Sequence, residues 1–381
     1  MMTESPAVVG EPGVILSGTK TKIPVRNVWL LMVYASELFQ HDHALQSAGT
    51  EDNPDDLVHV VAEILVSAVE RRLRRNLGRD YRARDAVLTR VRGRIDVLAT
   101  ESGMLLAQGR VACRFDELTV DNPRNRLLLT ALDQVARGFA KTATSHRHDE
   151  LRRRARALAT QLTQYGVSPR PIDRRAAADI VLGRNEVDDR DAVDAAKLLL
   201  DMMILTEEAD RRVSRTPLRD VDKFRALYEK AVRGFYRAVL RPEWSVKAGN
   251  TWRYWPLDAR SSGLPTVLPI MNTDIELERG SRRIIIETKF AEALKSSRSY
   301  DGDQGKPLLA SKHLYQLYAY VQSQHDADTL GPTAEGVLLY PTVAHHLEEW
   351  AVMQGHRYRF LSVDLAGTTS SIRERLLDVT L

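Results

Sequence analysis

The chain is short of several things, and each shortage excludes a class. A single cysteine, Cys113, rules out an internal disulfide and suits a reducing cytoplasm. The histidine pairs His41/His43 and His146/His148 have no cysteine companions, which argues against a zinc site. No apolar run approaches the roughly 20 residues a spanning helix needs; the longest runs only from Val28 to Ala35. Glu4, prolines and glycines precede any apolar stretch, so no signal peptide is expected. Repeats and low-complexity tracts are absent, and so is a G-x-x-x-x-G-K-[ST] nucleotide loop. The nearest string, Gly302-Asp-Gln-Gly-Lys-Pro307, is too short between its glycines and ends in proline. The expectation is a soluble, cytoplasmic chain with no membrane partner and no nucleotide of its own.

What remains is an ordinary globular composition, 43% hydrophobic and 28% charged over 381 residues, enough for two domains with proper cores. The net charge of +4 is too mild to identify a partner. Its distribution is uneven, with arginines crowding between Arg71 and Arg94 and again from Arg152 to Arg175. Two readings of these patches stay open: they hold nucleic-acid phosphates, or they are solvated and paired within the chain. Arg124, Asn125 and Arg126 carry the same choice between a partner's phosphate-bearing site and helix capping.

Periodicity divides the chain at Ser214-Arg-Thr-Pro-Leu218, a linker-like stretch. Residues 1–213 read as an α+β region of short strands and helices. It has a helix from about Asn27 to Phe39 and another from Leu57. Strands fill Ala86 to Phe115, with Cys113 in their core, and a further helix starts at Pro123 under an Asn122 cap. Residues 214–381 read as α/β. Asp222 to Tyr236 is an amphipathic helix with a stripe of Phe224, Leu227, Tyr228, Ala231, Val232 and Phe235, and Glu229 on its shoulder.

The segment richest in chemistry is Asn272 to Phe290. Asp274-Ile-Glu-Leu-Glu278 alternates polar and apolar, and Arg283-Ile-Ile-Ile-Glu287 is β-branched. Between them Gly280-Ser281 is the Gly-first pair of a type II′ hairpin turn. With that turn Arg279 pairs Arg282, and the register carries Asp274 opposite Glu287. Opposed residues share a sheet face, as does Lys289, two positions on. Two facing carboxylates repel, so the pattern calls for a cation between them. Hard Mg²⁺ fits, with Mn²⁺ as an alternative: it needs only two carboxylates, a carbonyl such as that of Thr288, and a substrate phosphate. Lys289 would orient or activate a water bound there. Farther along, Lys312, Gln316 and Tyr320 recur at helical spacing on one face.

Asp, then a turn, then Glu-x-Lys resembles the PD-(D/E)xK nucleases, and Gln316-Leu-Tyr-Ala-Tyr320 resembles the Q-x-x-x-Y element of RecB-type members. Together with Ile23-Pro-Val-Arg-Asn27, Val91-Arg-Gly-Arg-Ile-Asp96, Cys113 to Arg126 and Gly336-Val-Leu-Leu-Tyr-Pro341, the order of motifs resembles the McrC family. These are nuclease subunits of McrBC-type, modification-dependent restriction systems. Departures are small: Glu287 stands where many relatives have Asp, and Thr273 rather than Pro precedes Asp274.

The resemblance implies a PD-(D/E)xK restriction-endonuclease-like domain over residues 214–381. It implies Asp274, Glu287 and Thr288 as metal ligands, Lys289 serving the water, and Glu229, Gln316 and Tyr320 shaping the cleft. The activity implied is Mg²⁺-dependent cleavage of double-stranded DNA in a type IV, 5-methylcytosine-directed restriction system for phage defence. An McrB-like AAA+ GTPase hexamer would be the partner, bound by residues 1–213 and stimulated in its GTP hydrolysis. Two other readings compete: a self-sufficient RecB-type repair or recombination nuclease, and a non-catalytic adaptor of an AAA+ motor.

Overall fold

The computed structural model describes residues 13–15, 22–42, 45, 57–138, 146–212, 221–253, 255–291, 293–296, 307–343 and 346–381. The proposed linker at 214–218, the N-terminal arm and the Gly302–Lys306 stretch lie outside these residues. Contacts divide the chain into two units, one of Met1–Val60 with Asp201–Leu381 and the other of Val61–Leu200.

The first unit begins with β1 (Gly13–Ile15) antiparallel to β2 (Lys22–Pro24), followed by α1 (Val25–Ala35) and α2 (Glu37–His41). The single helix expected over Asn27–Phe39 is interrupted at Ser36. This residue is extended, and its Oγ accepts the Phe39 N–H at 3.2 Å to cap a second helix. The expected boundary at 213/214 also needs correction, because the N-terminal segment packs with the C-terminal half. Asn27 Nδ2 donates to Leu365 O at 2.7 Å and Gly367 O at 3.0 Å. α1 lies so close against a later helix that a Cβ at Gly234 would come within 2.0 Å of Tyr34 O. Glycine is the residue that permits such an approach.

The second unit holds α3 (Leu57–Arg75, which begins just before its limit), β3 (Asp80–Leu88), β4 (Arg94–Ile95), α4 (Val97–Ser102), β5 (Val111–Thr119), α5 (Pro123–Arg137), α6 (His146–Gln164) and α7 (Arg174–Ala178). Its sheet has the order β3-β5-β4, all antiparallel. Part of the all-strand expectation for Ala86–Phe115 gives way here, since Asp96 accepts the Ala99 N–H at 3.0 Å and starts a helical turn. Cys113 is buried in β5. The Asn122 cap is present, its Oδ1 taking the Asn125 N–H at 2.9 Å.

Several arginines of this unit are paired within it. Arg124, only 9% exposed, meets Asp80 at 2.6 Å, Glu186 at 2.5 Å and Asp189 at 3.2 Å. Arg154 bridges Glu63 and Glu70, Arg126 pairs with Asp121, and Arg72 pairs with Asp189. For these residues the intramolecular reading holds.

After α8 (Arg190–Arg212), which crosses the limit between the units, the first unit resumes. It contains α9 (Val221–Val239), β6 (Ser245–Arg253), β7 (Met271–Arg279), β8 (Arg282–Thr288), β9 (Leu294–Ser296), β10 (Pro307–Leu309), α10 (Ser311–Gln322), β11 (Ala334–Thr342), β12 (Glu348–Met353), β13 (His356–Asp364) and α11 (Thr369–Leu377). Six strands form one mixed sheet in the order β12-β13-β11-β8-β7-β6. β11 runs parallel to both β8 and β13, while the outer pairs are antiparallel. Ile284, Ile285 and Ile286 are all fully buried, which requires cover on both faces of β8. Ile285 shares a core with Leu317 and Val321 of α10 and Leu338 and Tyr340 of β11. α9 lies against β6 and β7 and carries α1; Tyr228, Ala231, Val232 and Phe235 of the expected stripe are buried, and Leu227 is half-buried.

Candidate active site

The site grows out of the β7–β8 hairpin. Gly280 has φ +56° and Ser281 is not left-handed, which is the type II′ geometry that the sequence pattern requires. From Arg279↔Arg282 the register runs without a slip to Ile275↔Ile286, so the next step brings Asp274 opposite Glu287.

At that step the two strands part. Thr288 sits in register with Leu339 of β11, and the Lys289 N–H bonds Leu339 O at 3.0 Å. The Thr288 N–H, which would continue the ladder to β7, instead donates to Asp274 Oδ2 at 2.8 Å. Its hydroxyl donates to the same oxygen, also at 2.8 Å. Thr288 thus fixes the Asp274 carboxylate where the pairing ends. Sequence reading reserved only a carbonyl for Thr288, because strict alternation puts its side chain on the opposite face from Asp274. The parting of the strands is what brings them together.

Lys289 Nζ donates to Glu287 Oε1 at 2.5 Å and to Gln316 Oε1 at 2.9 Å. Gln316 Nε2 in turn donates to the Tyr320 hydroxyl at 2.9 Å. The i, i+4 pair on α10 therefore reaches the hairpin, as its spacing predicts. Lys312, one turn earlier, is exposed and takes no part in this chain of bonds.

The electrostatics of the group are strained in one direction. Burial, reinforced by the Asp274 charge and only partly offset by Lys289, pushes the Glu287 carboxyl up to about 8. Burial also raises Asp274, against the Thr288 donors and Lys289. Glu229 on α9 is raised first by burial and then by Asp274, which puts it in the field of the same group, and its Oε1 is held by Arg233 at 3.2 Å. Arg233 in turn favours the ionised form of Asp274. The sequence reading did not single it out, although its place one turn after Glu229 was available as a signal.

The residues accept a divalent cation on structural grounds. Glu287 is 2% exposed, and its second oxygen, Oε2, is buried without a hydrogen-bond partner. A buried carboxylate oxygen left in that state is costly unless a cation completes it. Among the described residues no three His, Cys, Asp or Glu side chains are gathered as a ready cluster. A cation there would have Asp274 and Glu287 with backbone oxygen as its donors, as suits an ion that keeps several waters. Glu229, tied to Arg233, stands beside that set.

Comparison with known proteins identifies the family. The family model described as McrBC 5-methylcytosine restriction system component matches residues 15–341. The type IV methyl-directed restriction enzyme EcoKMcrBC of Escherichia coli (strain K12) is 24% identical over 358 residues, covering 94% of this chain and 97% of that protein. Two solved structures from Thermococcus gammatolerans also match. One is the refined half-complex from a tetradecameric assembly of McrB AAA+ hexamers with bound McrC. It has a TM-score of 0.44 at 15% identity and covers 93% of this chain and 76% of that one. The other is the McrBC complex seen by cryo-electron microscopy, with a TM-score of 0.33 at 18% identity, covering 52% and 61%.

Proposed function

This chain belongs to the McrBC 5-methylcytosine restriction system component family, and from that premise we propose that it is the system's DNA-cutting subunit. It acts as a Mg²⁺-dependent endonuclease on double-stranded DNA, assembled with an McrB-like AAA+ GTPase hexamer whose GTP hydrolysis it stimulates. The observation that carries the catalytic part is the Glu287 carboxylate. It is buried, repelled by Asp274, bonded by Lys289 on one oxygen and unsatisfied on the other. The hairpin, the parallel β11 beside it and the flanking helices support assignment to the PD-(D/E)xK class. The partner reading rests on the family and on the missing nucleotide loop, because a motor's nucleotide site has to come from another chain.

When bound, the cation supplies positive charge to the scissile phosphate and lowers the pKa of its water. Asp274, Glu287 and the Thr288 carbonyl would hold it. The rest is done by the chain. Thr288 clamps Asp274 through two donors, so that ligand needs no reorganisation on substrate binding. Lys289 Nζ, pinned between Glu287 and Gln316, holds the attacking water and offers a cation to the negative charge developing on the phosphoryl oxygens. The water oxygen forms a new P–O bond as the P–O3′ bond breaks; the water gives up a proton to solvent and the departing 3′ oxygen takes one from solvent, leaving a 5′-phosphate and a 3′-hydroxyl. Tyr320 holds Gln316, and through it Lys289, in place.

The test is cleavage of supercoiled plasmid, methylated and unmethylated, with Mg²⁺ and with or without the AAA+ partner and GTP. Cutting is expected only with all components and modified DNA, and it disappears in Asp274→Ala and in Lys289→Ala while both variants still bind the partner. Metal-dependent cutting retained by both variants would overturn the site. Cutting by the isolated chain would replace the restriction reading with the self-sufficient nuclease.

A further inference from the structure

Beyond the hairpin, α9 and the turn that follows it carry a row of arginines that the proposed chemistry leaves unused. Arg233, Arg237 and Arg241 recur every four residues, starting one turn after Glu229. Four helical residues rise about 6 Å and share a face, which relates Arg233 to Arg237; Arg241 follows in the turn after the helix, close enough for its charge to act on Arg237. The row begins beside the cleft, where Arg233 holds Glu229 and acts on Asp274. It then leads away along the helix.

The row is short of counter-charge. Arg237 is half-buried, and its Nε is buried with no hydrogen-bond partner. Burial, then the like charges of Arg233 and Arg241, disfavour its cationic form, and Glu37 only partly offsets them. A half-buried guanidinium such as that of Arg237, between two like charges and with a buried donor unsatisfied, is poorly explained as packing; Arg233 has Glu229 as its one carboxylate, and Arg241 is exposed to what lies outside. In the second unit, by contrast, Arg124 and Arg154 each meet two or more carboxylates. Successive phosphates of a nucleic-acid strand supply what α9 lacks, a line of anions with acceptor oxygens matched to the guanidinium fork.

We infer that Arg233, Arg237 and Arg241 form a phosphate-tracking ridge that holds one strand of a DNA duplex where it meets the β7–β8 hairpin. The identity of the polyanion rests on the nuclease reading. The test reads binding rather than cutting, so the two stand or fall separately.

The experiment uses the full chain carrying Asp274→Ala, so that no DNA is cut, and a fluorescently labelled duplex followed by anisotropy over a salt series. Arg237→Gln with Arg241→Gln is expected to weaken binding about tenfold or more. The slope of log Kd against log salt should fall by about two, one for each phosphate that no longer meets a guanidinium. Arg237→Lys with Arg241→Lys keeps the charge and should keep most of the slope, which separates phosphate binding from a folding defect. An unchanged slope in the glutamine pair overturns the ridge, as does a parent chain that binds no duplex. If those substitutions weaken binding of the AAA+ partner and leave the DNA slope alone, the row is a protein-binding surface and the inference is wrong. A chain that binds through the row, yet with Asp274 intact cuts no modified DNA in the presence of Mg²⁺, the AAA+ partner and GTP, would retire the nuclease reading and leave the ridge standing.

Discussion

Arg124 and Glu287 are both buried ionisable groups, and they are treated in opposite ways. Arg124 lies among Asp80, Glu186 and Asp189, so its guanidinium is ringed by carboxylates. Asp189, raised by burial, is brought back toward ionisation by Arg72 and Arg124. Glu287 has Lys289 on one oxygen, a like charge across the hairpin, and no partner on the other oxygen. A fully compensated cluster fixes a fold; an under-compensated one gives up stability to hold something that is not part of the chain. The same contrast separates the paired arginines of the second unit from the ridge on α9.

The largest expected effect lies on the uncompensated side. Lys289→Ala and Asp274→Ala should each lower plasmid cleavage by about a thousandfold or more, roughly 4 kcal/mol in the barrier. Their thermal midpoints should stay close to wild type, because neither side chain anchors the core. The compensated cluster should respond the other way. Arg124→Ala leaves Asp189 buried without one of its two arginines, and about 3 kcal/mol of stability should be lost, read by calorimetry. Partial exposure of Asp80 and Glu186 keeps the loss at the low end of that range. If Arg124→Ala melted like wild type, the cluster would not be a structural anchor.

The contrast also explains what was legible in advance. Asp274, Glu287 and Lys289 could be read because turn chemistry fixes a hairpin register and alternation fixes the face. Gln316 and Tyr320 could be read because helical spacing is local. Thr288 as a clamp could not, since it depends on β8 parting from β7 after Ile286 while it stays paired with β11, a choice made by the whole sheet. The membership of α1 in the C-terminal unit was equally hidden, because Asn27 finds its acceptor at Leu365, far along the chain. Partners for Arg124 come from separate segments, so charge runs alone left its role open.

A smaller effect tests the cost of the orphaned carboxylate through pH. The unfolded Glu287 ionises near 4.5, whereas the folded group keeps its proton to about 8. Between those values the unfolded chain binds fewer protons, so metal-free stability falls as pH rises. Glu287→Gln should flatten that fall, and it should be more stable than wild type at pH 8 without metal. Mg²⁺ should raise the wild-type midpoint more at pH 8 than at pH 6 and leave the glutamine variant nearly unmoved. A wild-type profile that rises with pH over this window would mean that Glu287 is compensated by something other than a cation.

The smallest expected effect probes how far the uncompensated group depends on its supports. Gln316 accepts from Lys289 and donates to Tyr320, so Gln316→Ala frees Lys289 on one side while leaving its bond to Glu287. Cleavage should fall about tenfold, the ~1.4 kcal/mol scale of one hydrogen bond to a charged group. Tyr320→Phe removes the acceptor of the Gln316 amide and the hydroxyl's bond to the Asn272 backbone, and should cost a few-fold at most. Both losses should appear in the turnover rate rather than in DNA affinity, because neither residue is placed against the duplex. If Tyr320→Phe were the more damaging of the two, the hydroxyl would have to act on substrate directly. The order of support, from α10 through Gln316 to Lys289, would then have to be reversed.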